Sequence, residues 1–172
     1  MGQLVPLLTG DRPVRMVLIT RALYLLTLIS APLNFVFGQS QGHLTEGQLA
    51  MLIFMPVIGQ TTAGLVWSQV CKRLSYRVMM LMAEVLGILC ALMNLGCFFL
   101  AQSGANVMVP LSITMILIAL NIPAYTGFTQ QMIAMVDEAR RSNYIVMSSL
   151  VLCPMAFGTY IAGIVAERFG YL

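Results

Sequence analysis

The stretch Val78–Ala101, VMMLMAEVLGILCALMNLGCFFLA, runs for 24 residues with a single charge, Glu84. At 1.5 Å per residue a helix of this length measures about 36 Å, enough to cross the ~30 Å hydrocarbon layer of a bilayer. A segment in lipid must satisfy its backbone internally, and the strict polar–apolar alternation of a barrel strand is missing, so the run is read as a helix. Four further runs of the same kind flank it: Val17–Phe37 with Arg21 in its first turn, Leu49–Val70, Val109–Val136 and Ile145–Ala166. They predict an all-α membrane protein of five transmembrane helices (17–37, 49–70, 78–101, 109–136 and 145–166), forming a single transmembrane domain over residues 1–172.

Composition points the same way. The chain is 59% apolar and 9% charged, with a mean hydropathy of +0.89. A water-soluble domain carries roughly a quarter charged residues, so a soluble globular fold is excluded. The net charge of +3 is spread over small groups between apolar runs, and no nucleic-acid partner is expected.

Those groups set an orientation. Arg12, Arg15, Arg21, Lys72, Arg73, Arg77, Arg140 and Arg141 all fall on one side when the runs alternate, leaving Arg168 opposite. The positive-inside rule then places the N terminus and the second and fourth connections in the cytoplasm, with the C terminus outside a cell (inner) membrane. Cys71, Cys90, Cys97 and Cys153 form no CxxC pair, the one histidine, His43, sits in a polar loop, and neither a metal site nor a cofactor is expected. Without an HExxH motif, a GK[ST] phosphate loop or paired acids in the spans, an enzyme is not expected.

Pro32, Pro56, Pro123 and Pro154 fall inside the runs, among many glycines. Small residues let helices approach closely in lipid, and prolines free backbone groups that neighbours or water must satisfy. Tight packing and bending around a cavity are both compatible with this pattern.

The segment 59–80, GQTTAGLVWSQVCKRLSYRVMM, follows small residues at Gly64 and Ser68 with a short basic turn. It resembles the cytoplasmic loop signature of the major facilitator superfamily: a glycine, then Asp-Arg, then Gly-Arg-Arg. Ser68 stands at the first glycine, Lys72 at the acid, Arg73 at the first base, Ser75 at the second glycine and Arg77 at the final base. Ser68, Lys72 and Ser75 depart from the pattern, and the missing acid argues against an intact charge-relay latch. A degraded copy of this kind resembles helices seven to eleven of the C-terminal half. The segment Asp137–Tyr144, the helix after it and the closing ERFGYL are similar to the family's tenth-to-eleventh loop and eleventh helix, with some similarity to helices four and five as well.

The resemblance implies an incomplete six-helix half of a secondary active transporter, a permease moving a small solute by alternating access with a proton gradient as its drive. Its partners would be the lipid bilayer, a small-molecule substrate and the missing transporter half. A non-transporting five-helix scaffold or interaction subunit is the alternative.

Polar residues recur on the helices that line the cavity in such transporters: Thr27, Ser30 and Asn34; Gln60; Thr114, Asn121 and Tyr125; Ser148 and Ser149. Asn34, Gln60, Asn121 and Tyr125 are the candidates for substrate contact, with helix–helix hydrogen bonding as the other reading. Glu84 is either a coupling group that carries a proton or a partner for Arg77. Arg21 is read chiefly as a side chain snorkelling to the interface, and otherwise as a grip on an anionic solute. Reporter fusions at Ser75 are expected to register the cytoplasm, and an exterior signal there would reverse the orientation.

Overall fold

The computed structural model describes residues 12–169, which are helical apart from short connections and contain no strand. In chain order the helices are α1 (Arg12–Leu28), α2 (Ser30–Ser40), α3 (Glu46–Arg73), α4 (Tyr76–Gln102), α5 (Met108–Asn121), α6 (Tyr125–Met135), α7 (Arg141–Leu152) and α8 (Gly158–Phe169). Among the described residues four helices are long and apolar enough to cross a membrane: Arg12–Ser40, Glu46–Arg73, Tyr76–Gln102 and Met108–Met135.

The fifth expected run, 145–166, differs from its expectation. It divides into α7 and α8, 12 residues each, joined by a 3-10 stretch at Cys153–Phe157. Pro154 lies in that stretch and supplies no backbone N–H to the turn before it. Each piece alone spans about 18 Å, short of a bilayer. The last three residues of ERFGYL lie outside the described residues.

Prolines also shape the first and fourth spans. Pro32 sits in the opening turn of α2, just past the interruption at Ile29. Pro123 sits in a 3-10 turn, Ile122–Ala124, that divides α5 from α6. Pro56 lies inside α3, which nevertheless runs unbroken for 28 residues.

The connections are shorter than the sequence suggests. Thr45 caps α3 through a reciprocal box with Gln48. Only Leu74 and Ser75 separate α3 from α4, and the Ser75 hydroxyl accepts from the Val78 N–H at 3.4 Å. Ser75 thus serves as the N-cap of α4. After α6 the chain turns through Glu138–Arg140, and Arg141 Nε donates to the Val136 carbonyl at 3.3 Å.

Two apolar clusters fill the two ends of the bundle. One gathers Val14, Leu18, Trp67, Met79, Val136 and Tyr144, placing the start of α1, the Leu74–Ser75 turn and the α6–α7 turn at the same end. The other gathers Phe37, Leu44, Leu52, Cys97, Val107 and Leu111 at the opposite end. Outside them the surface is apolar: Phe54, Leu65, Val85, Ile88 and Phe99 are all more than half exposed. A soluble monomer rarely shows a contiguous apolar face of this extent, and lipid is the solvent that favours it.

The α5–α6 span lies centrally, packed by α1, α3 and α4. Its approach to α3 depends on Gly59, where a Cβ would overlap the Ile116 carbonyl and fall 2.7 Å from the Ala119 Cβ. Gly64, one turn further along α3, has open space around it. Gly59→Val is expected to destabilise the bundle by roughly 1–3 kcal/mol through overpacking, whereas Gly64→Ala changes stability by less than about 0.5 kcal/mol. Thermal melting of both variants in one detergent checks the contrast; equal behaviour would contradict the close α3–α5 contact.

Candidate functional site

The 3-10 turn at Pro123 loosens the backbone near the centre of the span. The Tyr125 N–H bonds to the carbonyls of Ile122 and Pro123, not to Asn121 four residues back. The i→i−3 bonds of such a turn are poorly aligned and a carbonyl has a second lone pair, so in lipid side chains from neighbouring helices can add donors here. Trp67 Nε1 on α3 donates to the Leu120 carbonyl at 2.7 Å. The Tyr24 hydroxyl on α1 donates to the Asn121 carbonyl and lies 3.4 Å from that of Ile122. The Asn121 side chain reaches the other way and donates through Nδ2 to the Ala83 carbonyl on α4 at 3.0 Å.

Arg21 sits one turn from Tyr24 and closes the cluster. Its exposure is 4%, which makes it the buried cation among the described residues. Nη1 donates to the Ser148 hydroxyl on α7 at 3.2 Å, and Nη2 donates to the Tyr125 hydroxyl. The guanidinium carbon also lies 4.1 Å from the centroid of the Tyr125 ring, within cation–π range. Nε is buried without a hydrogen-bond partner. Ten residues into its span, Arg21 lies about 14 Å along the helix from Arg12.

The snorkelling expectation for Arg21 is therefore corrected. Its side chain follows the inward stripe of Val14, Val17, Leu18 and Tyr24, not the exposed stripe of Met16, Ile19 and Leu23. Helical spacing fixes that direction, and Tyr125 and Ser148 provide acceptors at its end.

The four substrate-contact candidates separate in space. Asn121 and Tyr125 join the cluster. Asn34 is buried on α2 with Nδ2 3.6 Å from Met115 Sδ, facing α5 about 9 Å along the helix from Asn121. Gln60 is on the exposed face of α3, away from the cluster. Thr114 is buried and bonds within its own helix, to the Pro110 carbonyl at 2.9 Å. The Thr27 side chain lies outside the described residues.

Glu84 adjoins Ala83, the acceptor for Asn121. It is half-buried, and its Oε1 is buried without a hydrogen-bond partner. The expected pairing with Arg77 is not formed, because Arg77 is exposed at the end of α4, two turns away. The other loop-motif residues, Gly64, Ser68, Lys72, Arg73 and Ser75, are exposed as well, and the Ser68 hydroxyl donates to its own helix at Leu65.

Chemically the arrangement offers a fixed cation with an unpartnered Nε, a tyrosine stacked beneath it, and a carboxylate, Glu84, next in sequence to the Ala83 acceptor. No protein-family model, curated protein or solved structure matches this chain.

Because Trp67 and Tyr24 satisfy adjacent carbonyls, removing either donor is expected to loosen the same turn. Trp67→Phe and Tyr24→Phe should each cost roughly 0.5–2 kcal/mol, and the double variant should depart from their sum. Melting of the three variants in lipid nanodiscs checks this; strict additivity would mean that the two donors act independently.

Proposed function

We propose that this chain is part of a secondary active transporter, an incomplete six-helix half of the major facilitator type, moving a small solute by alternating access. One observation carries the reading: a polar cluster lies at a break in the central span, where lipid tolerates irregular backbone only inside protein or beside a cavity. The other two breaks meet each other. α1 packs against the Cys153–Phe157 stretch, and a Cβ on Gly158 would overlap Ile29. Breaks that meet in this way allow helix segments to rock around a fixed point.

In this reading α7–α8 completes a fifth crossing, the basic end faces the cytoplasm of a cell (inner) membrane, and the C terminus lies outside. Asn121 and Tyr125 contact the solute, with Asn34 toward the outer end. Gln60, on the exposed face of α3, turns toward the missing half. Glu84, a carboxylate inside the span with one oxygen buried and unpartnered, is the group that couples movement to protons.

Liposomes containing the chain, together with any second half encoded beside it, test the proposal under an imposed proton gradient. Uptake of at least one small solute is expected. Glu84→Gln should abolish its dependence on the gradient while leaving solute exchange in place. A monodisperse bundle that moves no solute from a broad panel would sink the transporter reading and favour the scaffold.

A further inference from the structure

We propose that Arg21 binds the carboxylate of an organic monoanion with an apolar body, a substrate class that rests on the transport reading of the same site. A guanidinium carries five N–H donors. Two are engaged here, by Ser148 and Tyr125, and Nε is buried with none. Nε and Nη2 form the side edge of the fork, which matches the two oxygens of a carboxylate side by side, so the ligand takes the Nε–H and shares Nη2 with Tyr125.

Charge balance leads to the same ligand. Among the described residues no carboxylate approaches Arg21 within ion-pair distance, and its contacts are a hydroxyl from each of two neighbours and a tyrosine ring. A buried cation without an anion is costly, so an anionic ligand finds a site with the desolvation of the cation already met.

The walls describe the rest of the ligand. Tyr24 and Phe128 lie with ring centroids 5.1 Å apart, and Met79, Met132 and Met147 belong to the same buried apolar cluster. Methionine side chains repack readily around irregular apolar shapes. Such walls reject a strongly hydrated body and accept a hydrocarbon or aromatic one. With the guanidinium 4% exposed, the ligand enters only when α1 parts from α6 and α7, and the helix break at Pro123 borders that seam.

Benzoate and its uncharged isostere benzamide are suitable probes, with binding read by calorimetry on the full chain in detergent. Benzoate is expected to bind and benzamide to bind roughly tenfold or more weakly, the scale of a charge-assisted hydrogen bond. Arg21→Gln should abolish the preference. Arg21→Lys, which keeps the charge but not the fork, should restore only part of it. Thr61→Ala, which removes an exposed α3 hydroxyl bonded to its own helix at Val57, should preserve the preference and serves as the control.

Equal binding of the two probes, or benzoate binding unchanged in a folded Arg21→Gln protein, overturns the inference and makes Arg21 a packing residue. Gradient-driven movement of neutral solutes that survives Arg21→Gln overturns the substrate class while leaving the transporter reading intact. Arg21-dependent benzoate binding without movement of any solute supports the site and overturns the transporter reading.

Discussion

A carbonyl inside a membrane can draw its donors only from protein, and this bundle is arranged around two carbonyls that accept from side chains of other helices. The turn at Pro123 takes the Tyr125 N–H away from Asn121, and Trp67 and Tyr24 supply donors to Leu120 and Asn121 from separate helices. That requirement fixes the position of α1. Because α1 and α5–α6 run antiparallel, anchoring Tyr24 at Asn121 carries Arg21, one turn earlier, to Tyr125, one turn later. Backbone satisfaction and the placement of the buried cation are one geometric event.

Magnitudes show why the cation stays. Inserting an arginine at the centre of a membrane helix costs about 2.5–3.5 kcal/mol on insertion scales. A hydrogen bond to a charged group returns roughly 1.5–3 kcal/mol, and a desolvated cation–π contact about 2 kcal/mol. Two bonds and one stack thus offset insertion without an ion pair, and Nε is left over.

Four of the expected spans and the all-helical class were legible because charge-free runs of bilayer length have few other solutions. The breaks were only partly so. Pro32, Pro123 and Pro154 mark interruptions, but Pro56 lies within an unbroken α3, so a proline in sequence does not by itself locate a break. Asn121 and Tyr125 were readable as polar residues one turn apart on one helix. Arg21 was misjudged for a physical reason: in lipid both faces of α1 are apolar, with Met16, Ile19 and Leu23 outside and Val14, Val17 and Leu18 inside, so hydrophobic periodicity gives no inward direction. The available signal was Tyr24, a second polar group on the same stripe. Tertiary neighbours decided the rest. Gln60 and Asn34 look equivalent as sequence, yet one faces outward and the other faces α5.

Whether the Arg21 guanidinium belongs to the protein interior or to the lipid headgroups decides most of this picture. Solid-state NMR of the chain in phospholipid bilayers, with 13C-labelled arginine and tyrosine and with Arg21→Lys and Tyr125→Phe samples for assignment, measures it directly. A guanidinium tied to Tyr125 is expected to show dipolar contact with that ring, whose centroid lies 4.1 Å away, and none with lipid phosphorus. Contact with 31P of the headgroups and none with the ring would contradict it.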